Sequence, residues 1–392
     1  MDMLFGRILI GTSGWDYDDW IGPFYKTERG LFSQYTRVFN TVEINSTFYS
    51  LPGKGFIEGL LRSAPRGFVF SLKMYRGITH KKLLNPKLIT EELDLFFKLI
   101  NQLGGSGKLG AILIQLPPRP KNDVPWFKDF LEMLPREYRF AVEFRHPSWL
   151  NDGTFKLLRE HNVAYAIVDE PLLPPEAVVT ADFTYIRWHG RGERPWYYYH
   201  YTEQELKEWA LRINQLIGNV SLLLGYFNNH FRGFAPHNAL QMLSLLGMLD
   251  RERRQLLKEM DEYFQKLPEK SASKARTAAL EGNVDEVLKA LAGDKRYERG
   301  LEIKDEAVTY TVAGDRVIGK VKEYDVYIDL DSRIIRHNCE DWRKSLEGKR
   351  FCKHMVKFFL VIPRDLALKI LEDIITNMDD WEFVADKSEQ GE

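Results

Sequence analysis

Eight short apolar segments alternate with amphipathic helical stretches between Ile8 and about Leu246, and this alternation limits the possible folds more than any other feature. The pattern predicts parallel strands joined by helical crossovers, because parallel neighbours need a long connection. Eight strands in about 240 residues favour a TIM-like (β/α)8 barrel over an open doubly wound sheet. The predicted strands span residues 8–11, 41–45, 68–73, 111–116, 140–144, 164–169, 183–188 and 220–227.

Most of these strands begin with apolar residues and end with charged or amide side chains. Active sites of such barrels lie at the carboxyl ends of the strands, so we predict a polar pocket there. Alternation along a strand puts Glu43 with Asn45, and Arg187 with His189, on one face. A purely structural network of ion pairs is the alternative interpretation. The strand-end candidates are Glu43, Asn45, Lys73, Gln115, Glu143, Arg145, Asp169, Arg187, His189 and Asn228.

The arginines among these candidates predict an anionic ligand. Arg145 or Arg187 can form a bidentate fork with a phosphate or a carboxylate. Glu43 or Glu143 would then act as general base and His189 as general acid. The expected ligand is a phosphate-bearing or nucleoside-like small molecule.

Two other chemistries remain open for the same pocket. Lys73 is a candidate Schiff-base nucleophile if the pocket lowers its pKa, with a plain ion pair as the alternative. A divalent metal is the other option, although the neighbouring cations argue against it; its ligands would be Glu43, Glu143, Asp169 and His189. An enzyme built on this pocket would be hydrolase- or nuclease-like, or isomerase- or lyase-like.

Residues 191–201, after the seventh predicted strand, are rich in tyrosine, tryptophan and arginine. Such side chains can stack on bases or sugar rings, and we predict that Tyr201 and Trp15 contribute to ligand binding in this way. The alternative is that the tyrosines only pack over the following helix, which Thr202 caps.

Seven short motifs between residues 8 and 243 resemble one known family. They are IGTSGW at 10–15, VEINSTFY at 42–49, ITH at 78–80, QLPP at 115–118, EFRHPSW at 143–149, RWHG at 187–190 and FNN at 227–229. This set is similar to the YecE-like family, catalogued as domain of unknown function 72. The resemblance implies a TIM-like barrel related in shape to sugar isomerases and to an abasic-site endonuclease. The family's reaction is not established, so the resemblance implies a fold and no particular activity.

The chain has two cysteines, and each lies one residue from a histidine, in His337-Asn338-Cys339 and in Cys352-Lys353-His354. Two thiolates and two imidazoles suit a tetrahedral zinc, so we predict one structural Zn per chain. A hairpin is predicted before the first pair and a helix after the second, so the metal would join them. Four protein ligands close the site, whereas a catalytic zinc keeps one position open. The alternative is an accidental grouping of buried cysteines and histidines.

The ligand order and the flanking elements resemble a SWIM-type zinc finger, with His337 in place of the usual first cysteine. The resemblance covers residues 297–362 and includes an earlier predicted hairpin, 308–312 against 316–321. It implies docking to nucleic acid or to a nucleic-acid-associated partner. A basic cluster fits this role, with an ordinary solvated face as the alternative; its members are Arg343, Lys344, Lys349, Arg350, Lys353 and Lys357.

The overall charge gives no general affinity for nucleic acid. Lysine and arginine number 55 against 56 aspartates and glutamates, which leaves a net charge of −1. Any such contact must therefore be local. No segment approaches the roughly 20 apolar residues that a membrane span needs, and the first residues lack a signal-peptide layout. We expect a cytoplasmic protein with no membrane partner.

The predicted organisation is a barrel at 1–246, a helical linker at 247–296, a zinc domain at 297–378 and a polar tail at 379–392. Three functions fit it. In the first, the zinc unit docks nucleic acid or an associated partner while the barrel acts on a phosphate-bearing or nucleoside-like ligand. In the second, the protein is a non-catalytic scaffold whose zinc unit contacts another protein. In the third, the barrel is a sugar-phosphate isomerase or lyase.

Overall fold

A computed structural model describes residues 7–192, 198–266, 283–346, 349–376, 378 and 381–385. The chain forms two compact units, Met1–Gln265 and Lys266–Glu392. None of the described helices is long and apolar enough to cross a membrane.

The first unit is a TIM-like (β/α)8 barrel, which confirms the predicted fold class. Its eight strands are all parallel to their neighbours, in the order β1-β8-β7-β6-β5-β4-β3-β2. The strands are β1 (Arg7–Thr12), β2 (Thr41–Ile44), β3 (Val69–Lys73), β4 (Leu109–Gln115), β5 (Phe140–Glu143), β6 (Ala164–Asp169), β7 (Phe183–Trp188) and β8 (Leu222–Phe227).

Helices follow the strands and cover the outside of the sheet. A capping box sets the start of one of them: Thr202 and Glu205 exchange side-chain and backbone hydrogen bonds. The helices are α1 (Leu31–Tyr35), α2 (Ser46–Tyr49), α3 (Lys54–Ser63), α4 (Pro86–Gly105), α5 (Phe127–Glu132), α6 (Asp152–Glu160), α7 (Glu203–Ile217), α8 (Phe234–Leu245) and α9 (Arg251–Lys266). A π-helical turn, Gly77–Lys81, follows β3.

The inside of the barrel is filled by alternate residues of the strands. Alanines on β4, β5 and β6 face larger aromatic and aliphatic side chains from the other strands. The cluster comprises Leu9, Val69, Ala111, Leu113, Ala141, Ala164, Ala166, Phe183, Tyr185, Leu224 and Tyr226. This face is called the inner face below, and it decides which strand-end residues meet.

The seam between β1 and β2 closes the barrel with very little pairing. A parallel bridge joins Ser13 to Glu43, and the Gly14 amide donates to the Glu43 carbonyl over 2.8 Å. The strands come close just before this bridge, where a Cβ on Gly11 would lie 2.2 Å from the Thr41 carbonyl oxygen. Only glycine fits there.

The residues predicted as a linker, 247–296, are divided between the two units. Helix α9 belongs to the first unit: Met260 is fully buried there, and Leu256, Leu257 and Phe264 pack against the barrel core. Because these apolar side chains pack against the barrel, the first unit extends to Gln265. The remaining described part of the segment starts the second unit.

The second unit is built on a five-stranded sheet in the order β13-β12-β11-β10-β9. Its strands are β9 (Val308–Ala313), β10 (Arg316–Val321), β11 (Tyr324–Asp329), β12 (Ile334–His337) and β13 (Glu382–Ala385). Its helices are α10 (Val284–Ala292), α11 (Asp294–Leu301), α12 (Glu340–Ser345), α13 (Lys353–Val361) and α14 (Arg364–Thr376). Both predicted hairpins and the helix after Cys352 are present.

Strand β13 corrects the prediction of a polar tail at 379–392. Residues 382–385 pair parallel to β12. Phe383 within this strand and Trp381 just before it are at most 3% exposed. These apolar side chains anchor the segment to the core, which a polar tail could not do. Residues 386–392 lie outside the described part of the chain.

Candidate functional site

Charged residues from four strands meet at the carboxyl end of the barrel. Glu43, Glu143 and Arg187 lie on the inner face of β2, β5 and β7, and all three are essentially inaccessible to solvent. Alternation along β7 brings His189 to the same side, two residues beyond Arg187. These groups, Arg145 just beyond β5 and Glu170 just beyond β6 form a connected hydrogen-bonded set, called the charge network below.

Arg187 is the centre of the charge network. Its Nε and Nη2 donate to the two carboxylate oxygens of Glu43 over 3.0 and 2.7 Å, and its Nη1 donates to Glu143 over 2.6 Å. Glu43 also accepts from the hydroxyls of Ser13 and Tyr185, each over 2.7 Å. The bidentate fork of Arg187 is therefore used inside the protein.

Arg145 forms the outer half of the charge network. Its Nε donates to Glu143 over 2.5 Å, and its Nη1 donates to Glu170 over 2.7 Å. Its Nη2 lies 3.2 Å from Nε2 of His189. The Arg145 side chain is 9% exposed, so it sits between the buried Arg187 and the mouth of the barrel.

Glu43 and Glu143, the two predicted catalytic glutamates, are ion-pair partners of the buried arginines. Burial acts to raise the pKa of Glu43, but the charge of Arg187 and the hydrogen bonds that Glu43 accepts lower it below the ordinary value. Burial likewise opposes the charges of Arg145 and Arg187 at Glu143, and the pKa of Glu143 falls well below the ordinary value. A general base needs a free lone pair and a pKa near neutrality. These contacts favour a structural role for Glu43 and Glu143, and the role of general base stays a prediction.

His189 is a neutral hydrogen-bond acceptor in this setting. Burial, followed by the charges of Arg187 and Arg145, lowers the pKa of His189 to about 4. Arginine can only donate, so Nε2 of His189 accepts from both guanidinium groups and Nδ1 carries the ring proton. The Asn228 side-chain amide lies 2.8 Å from Nδ1 and can accept that proton through its oxygen after amide rotation. The predicted role of His189 as general acid stays a prediction, and in this setting the proton that His189 could give is the one on Nδ1.

Lys73 differs from the other cations because its amine is not tied into an ion pair within the described residues. It ends β3 on the inner face, half-buried, and Nζ lies 4.1 Å from the centre of the Phe48 ring. Burial and the charge of Arg187 outweigh the nearby glutamates and lower the pKa of Lys73 to about 7. A large fraction of this amine is therefore unprotonated near neutral pH.

Asp169 does not join the charge network. It lies on the outer face of β6, where it accepts from Arg191 over 2.9 Å and from the Trp209 indole over 2.5 Å. The next residue, Glu170, faces inward and pairs with Arg145. Sequence reasoning missed Glu170, although the inner-face parity of Ala164 and Ala166 would have pointed to it.

The predicted metal site of carboxylates and His189 is also corrected by this geometry. Asp169 is on the wrong face of its strand, and the two glutamates are paired with arginines. Within the described residues, the Cys and His group of the second unit alone has the arrangement of a metal site.

The remaining predicted ligand contacts fall into two groups. Asn45, Gln115 and Asn228 are half-buried at or just beyond the strand ends, where side chains can meet a ligand. Trp15 is half-buried and packs on Phe32 at 5.0 Å between ring centres. Tyr201 is 2% exposed, and its hydroxyl accepts from the Gly190 amide over 2.9 Å, so it shapes the loop from within.

Residues 193–197 of the predicted aromatic loop lie outside the described residues. Of its other tyrosines, Tyr199 donates to Glu205 over 2.6 Å and Tyr198 packs on Phe231 at 4.1 Å between ring centres. These contacts are the packing over the adjacent helix and loop that was the alternative interpretation.

His80 is a second residue that the predicted site lacked. It lies on the π-helical turn after β3, with its ring edge against Phe48 at 4.9 Å and Nδ1 2.8 Å from the Thr79 hydroxyl. Burial and the charges of Lys73 and Arg145 lower the pKa of His80 to about 3. The motif ITH and a π turn, which is frequent at functional sites, were the available signals.

The second unit brings its two cysteines and two histidines together. One ligand atom from each residue, among them the sulfurs of Cys339 and Cys352, lies within 4.8 Å of every other. All four side chains are buried. Cys339 ends the turn after β12 and caps α12, whereas Cys352 and His354 start α13. A short helix, absent from the prediction, thus separates the two pairs.

The donor atoms fit a bound metal ion. Nδ1 of His337 donates to the Asp325 carbonyl over 2.6 Å, and its buried Nε2 has no partner among the described residues. Fixing one imidazole nitrogen in this way directs the other to a metal. The hydrogen bond from Cys352 lowers the pKa of Cys339, while burial raises the pKa of Cys352.

The basic cluster predicted beside these ligands is largely used within the unit. Lys357 is 6% exposed and forms an ion pair with Asp305. Lys344 pairs with Glu340 over 2.7 Å, and Lys349 donates to the Met378 carbonyl over 2.5 Å. At least three of its six cations thus have partners within the unit.

The first unit is thus a (β/α)8 barrel with a buried charge network and a half-buried lysine at the carboxyl ends of its strands. The sequence model described as protein of unknown function DUF72 matches residues 9–262, and the chain belongs to that family.

Similar proteins agree with this assignment. UPF0759 protein YunF of Bacillus subtilis is 29% identical over 272 residues, which cover 62% of this chain and 95% of that protein. UPF0759 protein YecE of Escherichia coli K12 is 28% identical over 216 residues, or 47% of this chain and 75% of that protein. The crystal structure of a DUF72 family protein from Thermotoga maritima is similar with a TM-score of 0.55 and 33% identity, and the match covers 61% of this chain and 99% of that one. The family match ends at residue 262 and leaves the second unit outside it.

Proposed function

We propose that the barrel unit is an enzyme in which the Lys73 amine reacts with the carbonyl group of a small molecule. One observation carries this proposal: Lys73 ends a strand on the inner face, and none of the described residues pairs with its amine. Unprotonated lysine in a pocket is the nucleophile of Schiff-base chemistry. The pKa of Lys73, lowered to about 7, makes that form available at neutral pH.

The charge network supports this proposal over the predicted capture of a phosphate. Arg187 forms a bidentate ion pair with Glu43, and Arg145 binds Glu143 and Glu170. Three carboxylates thus face two guanidinium groups, and the network already carries an excess of negative charge. Of the strand-end cations Lys73, Arg145 and Arg187, Lys73 alone has no ion-pair partner among the described residues, so it is the one that a phosphate would meet. Of the predicted enzyme classes, an isomerase- or lyase-like reaction agrees with this better than a hydrolase- or nuclease-like one.

Neutral His80 lies close to the proposed nucleophile at this end of the barrel. His80 packs on the Phe48 ring that also contacts Lys73. Burial and the charges of Lys73 and Arg145 keep the pKa of His80 near 3, so its imidazole is neutral at neutral pH. It adds no positive charge beside Lys73, and we assign no proton transfer to it.

Reductive trapping tests the proposal. The full-length protein is incubated with glyceraldehyde and sodium cyanoborohydride at pH 7, and peptide mass spectrometry measures the occupancy of each lysine. We expect Lys73 to be alkylated faster than exposed Lys54 and Lys128, which have ordinary surface ion pairs. The variant Lys73→Met has no amine at this position and serves as the negative control for the Lys73 peptide. Alkylation of Lys73 no faster than of those surface lysines would refute the proposal.

For the second unit we propose a SWIM-type zinc module with one structural Zn. The donor set of two thiols and two imidazoles is the one that zinc prefers, and it leaves no coordination position for substrate. The free Nε2 of His337 supports this assignment. Metal analysis of the purified protein should give one zinc per chain. Iron or no metal in protein expressed with zinc present would contradict it.

We propose that this zinc module docks a protein partner, and the nucleic-acid partner that the resemblance implies becomes the competing outcome. Strand β9 is an edge of the sheet, and Tyr310 and Val312 are exposed on one of its faces. Ile318 of β10 is exposed on the opposite face, because it pairs with Thr311. Exposed apolar side chains on an edge strand favour pairing with another chain. The internal ion pairs of Lys344 and Lys357 leave less positive charge for phosphates.

Fluorescence anisotropy with single-stranded DNA, duplex DNA and RNA at two salt concentrations separates these outcomes. Binding that weakens with salt, with a slope reduced by about one for each cation removed in Arg343→Ala or Lys344→Ala, would establish nucleic-acid docking. Absence of binding at low salt is the result expected for a protein-contact module. Val312→Lys and the matched edge variant Thr311→Lys then test whether the apolar face matters for association.

A further inference from the structure

Asn45 carries a buried acceptor that the described part of the chain does not use. Its Oδ1 is shielded from solvent and accepts no hydrogen bond there. Asn45 also occupies the N-cap of α2, where an asparagine oxygen usually accepts from a backbone N–H, and it makes no such bond. Leaving a buried acceptor unpaired costs free energy. A hydrogen-bond donor on a ligand is the natural complement of this atom.

Asn45 and Lys73 stand at the carboxyl ends of two paired strands. Ile44 is opposite Leu72 in the parallel ladder, and Asn45 and Lys73 are the next residues along the two segments, with Asn45 already turning into α2. Helix α2 reinforces this arrangement, because Thr47 donates to the Lys73 carbonyl over 2.6 Å and Phe48 lies under its amine. The two side chains therefore belong to the same end of the barrel.

We propose that the ligand of the barrel is an α-hydroxy aldehyde or α-hydroxy ketone, with its carbonyl carbon at the Lys73 amine and its hydroxyl donating to Oδ1 of Asn45. This inference rests on the proposed function and adds the substrate class. Asn45 is the specificity-determining residue, because an acceptor held ready for a hydroxyl discriminates against a carbonyl compound that lacks one.

The covalent step needs no other reactant. The Lys73 nitrogen adds to the carbonyl carbon and gives a carbinolamine. The former carbonyl oxygen then leaves as water together with the two amine hydrogens, and a C=N bond remains. Protonation of this imine gives an iminium ion, whose α-carbon loses a proton more readily than that of the free carbonyl compound.

The test compares glycolaldehyde with acetaldehyde, which has the same length and lacks the hydroxyl. Full-length protein is trapped with cyanoborohydride, and the initial alkylation rate of Lys73 is divided by that of Lys54 in the same sample to remove intrinsic aldehyde reactivity. We expect this ratio to be roughly fivefold higher for glycolaldehyde, as one hydrogen bond allows. Asn45→Leu should abolish the preference, and Asn45→Asp, which keeps an acceptor, should retain it.

The possible results are distinct from one another. Equal normalised rates for the two aldehydes at a reactive Lys73 would overturn the hydroxyl assignment and leave the proposed function intact. A Lys73 no more reactive than Lys54 towards either aldehyde would overturn both. Because the aldehyde comparison is made on the wild-type protein, it remains decisive if a variant of Asn45 fails to fold, which circular dichroism would reveal.

Discussion

Replacing Glu43 by glutamine tests whether the charge network holds the barrel together. The change keeps the size of the side chain but removes the charge opposite Arg187 and puts an amide donor against guanidinium donors. Glu43 is completely buried and accepts four hydrogen bonds, two of them from Arg187. Breaking a buried ion pair by removing one partner costs about 3–5 kcal/mol.

That loss would be large on the scale of the barrel unit. For a domain of this size about 1 kcal/mol shifts Tm by roughly 2–4 °C, so we expect a decrease of roughly 6–20 °C. Hydrogen exchange with mass spectrometry is the suitable assay, because it reports the free energy of opening for barrel peptides separately from the second unit. The matched control is Glu58→Gln, since Glu58 is exposed and only 3.9 Å from Lys54. It should change stability by less than about 0.5 kcal/mol.

The pH dependence gives the same prediction a second check. The folded-state pKa of Glu43 lies below its ordinary value of 4.5, so its contribution to stability is complete above that value and is lost as pH falls through the folded pKa. The difference between wild type and Glu43→Gln should therefore be constant from pH 7 to 5 and shrink at lower pH. A Glu43→Gln barrel that loses less than about 1 kcal/mol would refute the reasoning.

Three further predictions follow from the same contacts. Cys352→Ser should release the metal and remove exchange protection from residues 283–385 while the barrel peptides keep theirs; full retention of metal would contradict the assigned centre. Alkylation of Lys73 should increase with pH through a midpoint near 7, its folded pKa, and a midpoint near that of surface lysines would show that the amine is not perturbed. Gly11→Ala should destabilise the barrel by several kcal/mol in urea unfolding, because its Cβ would lie 2.2 Å from the Thr41 carbonyl oxygen, whereas Gly55→Ala, in an open position of α3, should be neutral or stabilising.

The sequence predicted the barrel well because its strands and helices differ in hydrophobic period. All eight predicted strands overlap observed ones, and the boundaries of 164–169 and 183–188 coincide. In the second unit, the paired His and Cys spacings led directly to four residues that the structure brings together. Local patterns of this kind are visible in sequence because each depends on residues that are close along the chain.

Such patterns do not show whether Asp169 or Glu170 faces the inside of the barrel. Every residue of β6 is buried, since helices cover one face of the strand and the barrel interior covers the other. A strand buried on both faces has no alternation of polarity to identify its inner side. The prediction therefore took the acid within the strand, and the inward acid was the one just beyond it.

The roles of the network residues depend on partners that are distant in sequence. Glu43 and Arg187 are separated by 144 positions, and no local signal shows that their charges cancel. Without that pairing, Arg187 looked available to a phosphate and Glu43 looked available as a base. Lys73 is the candidate that has no ion-pair partner among the described residues, and this could not be predicted from the sequence.

The bridge between Ser13 and Glu43 makes barrel closure and charge pairing depend on the same residue. Glu43 contributes its backbone to the seam between β1 and β2 and its carboxylate to Arg187 on the far side of the barrel. Circular permutation or loop grafting at this edge would therefore alter the electrostatics of the pocket even if no pocket residue were changed. Anyone who redesigns this scaffold should treat β1, β2 and β7 as one inseparable block and confine diversity to half-buried positions such as Gln115 and Asn228.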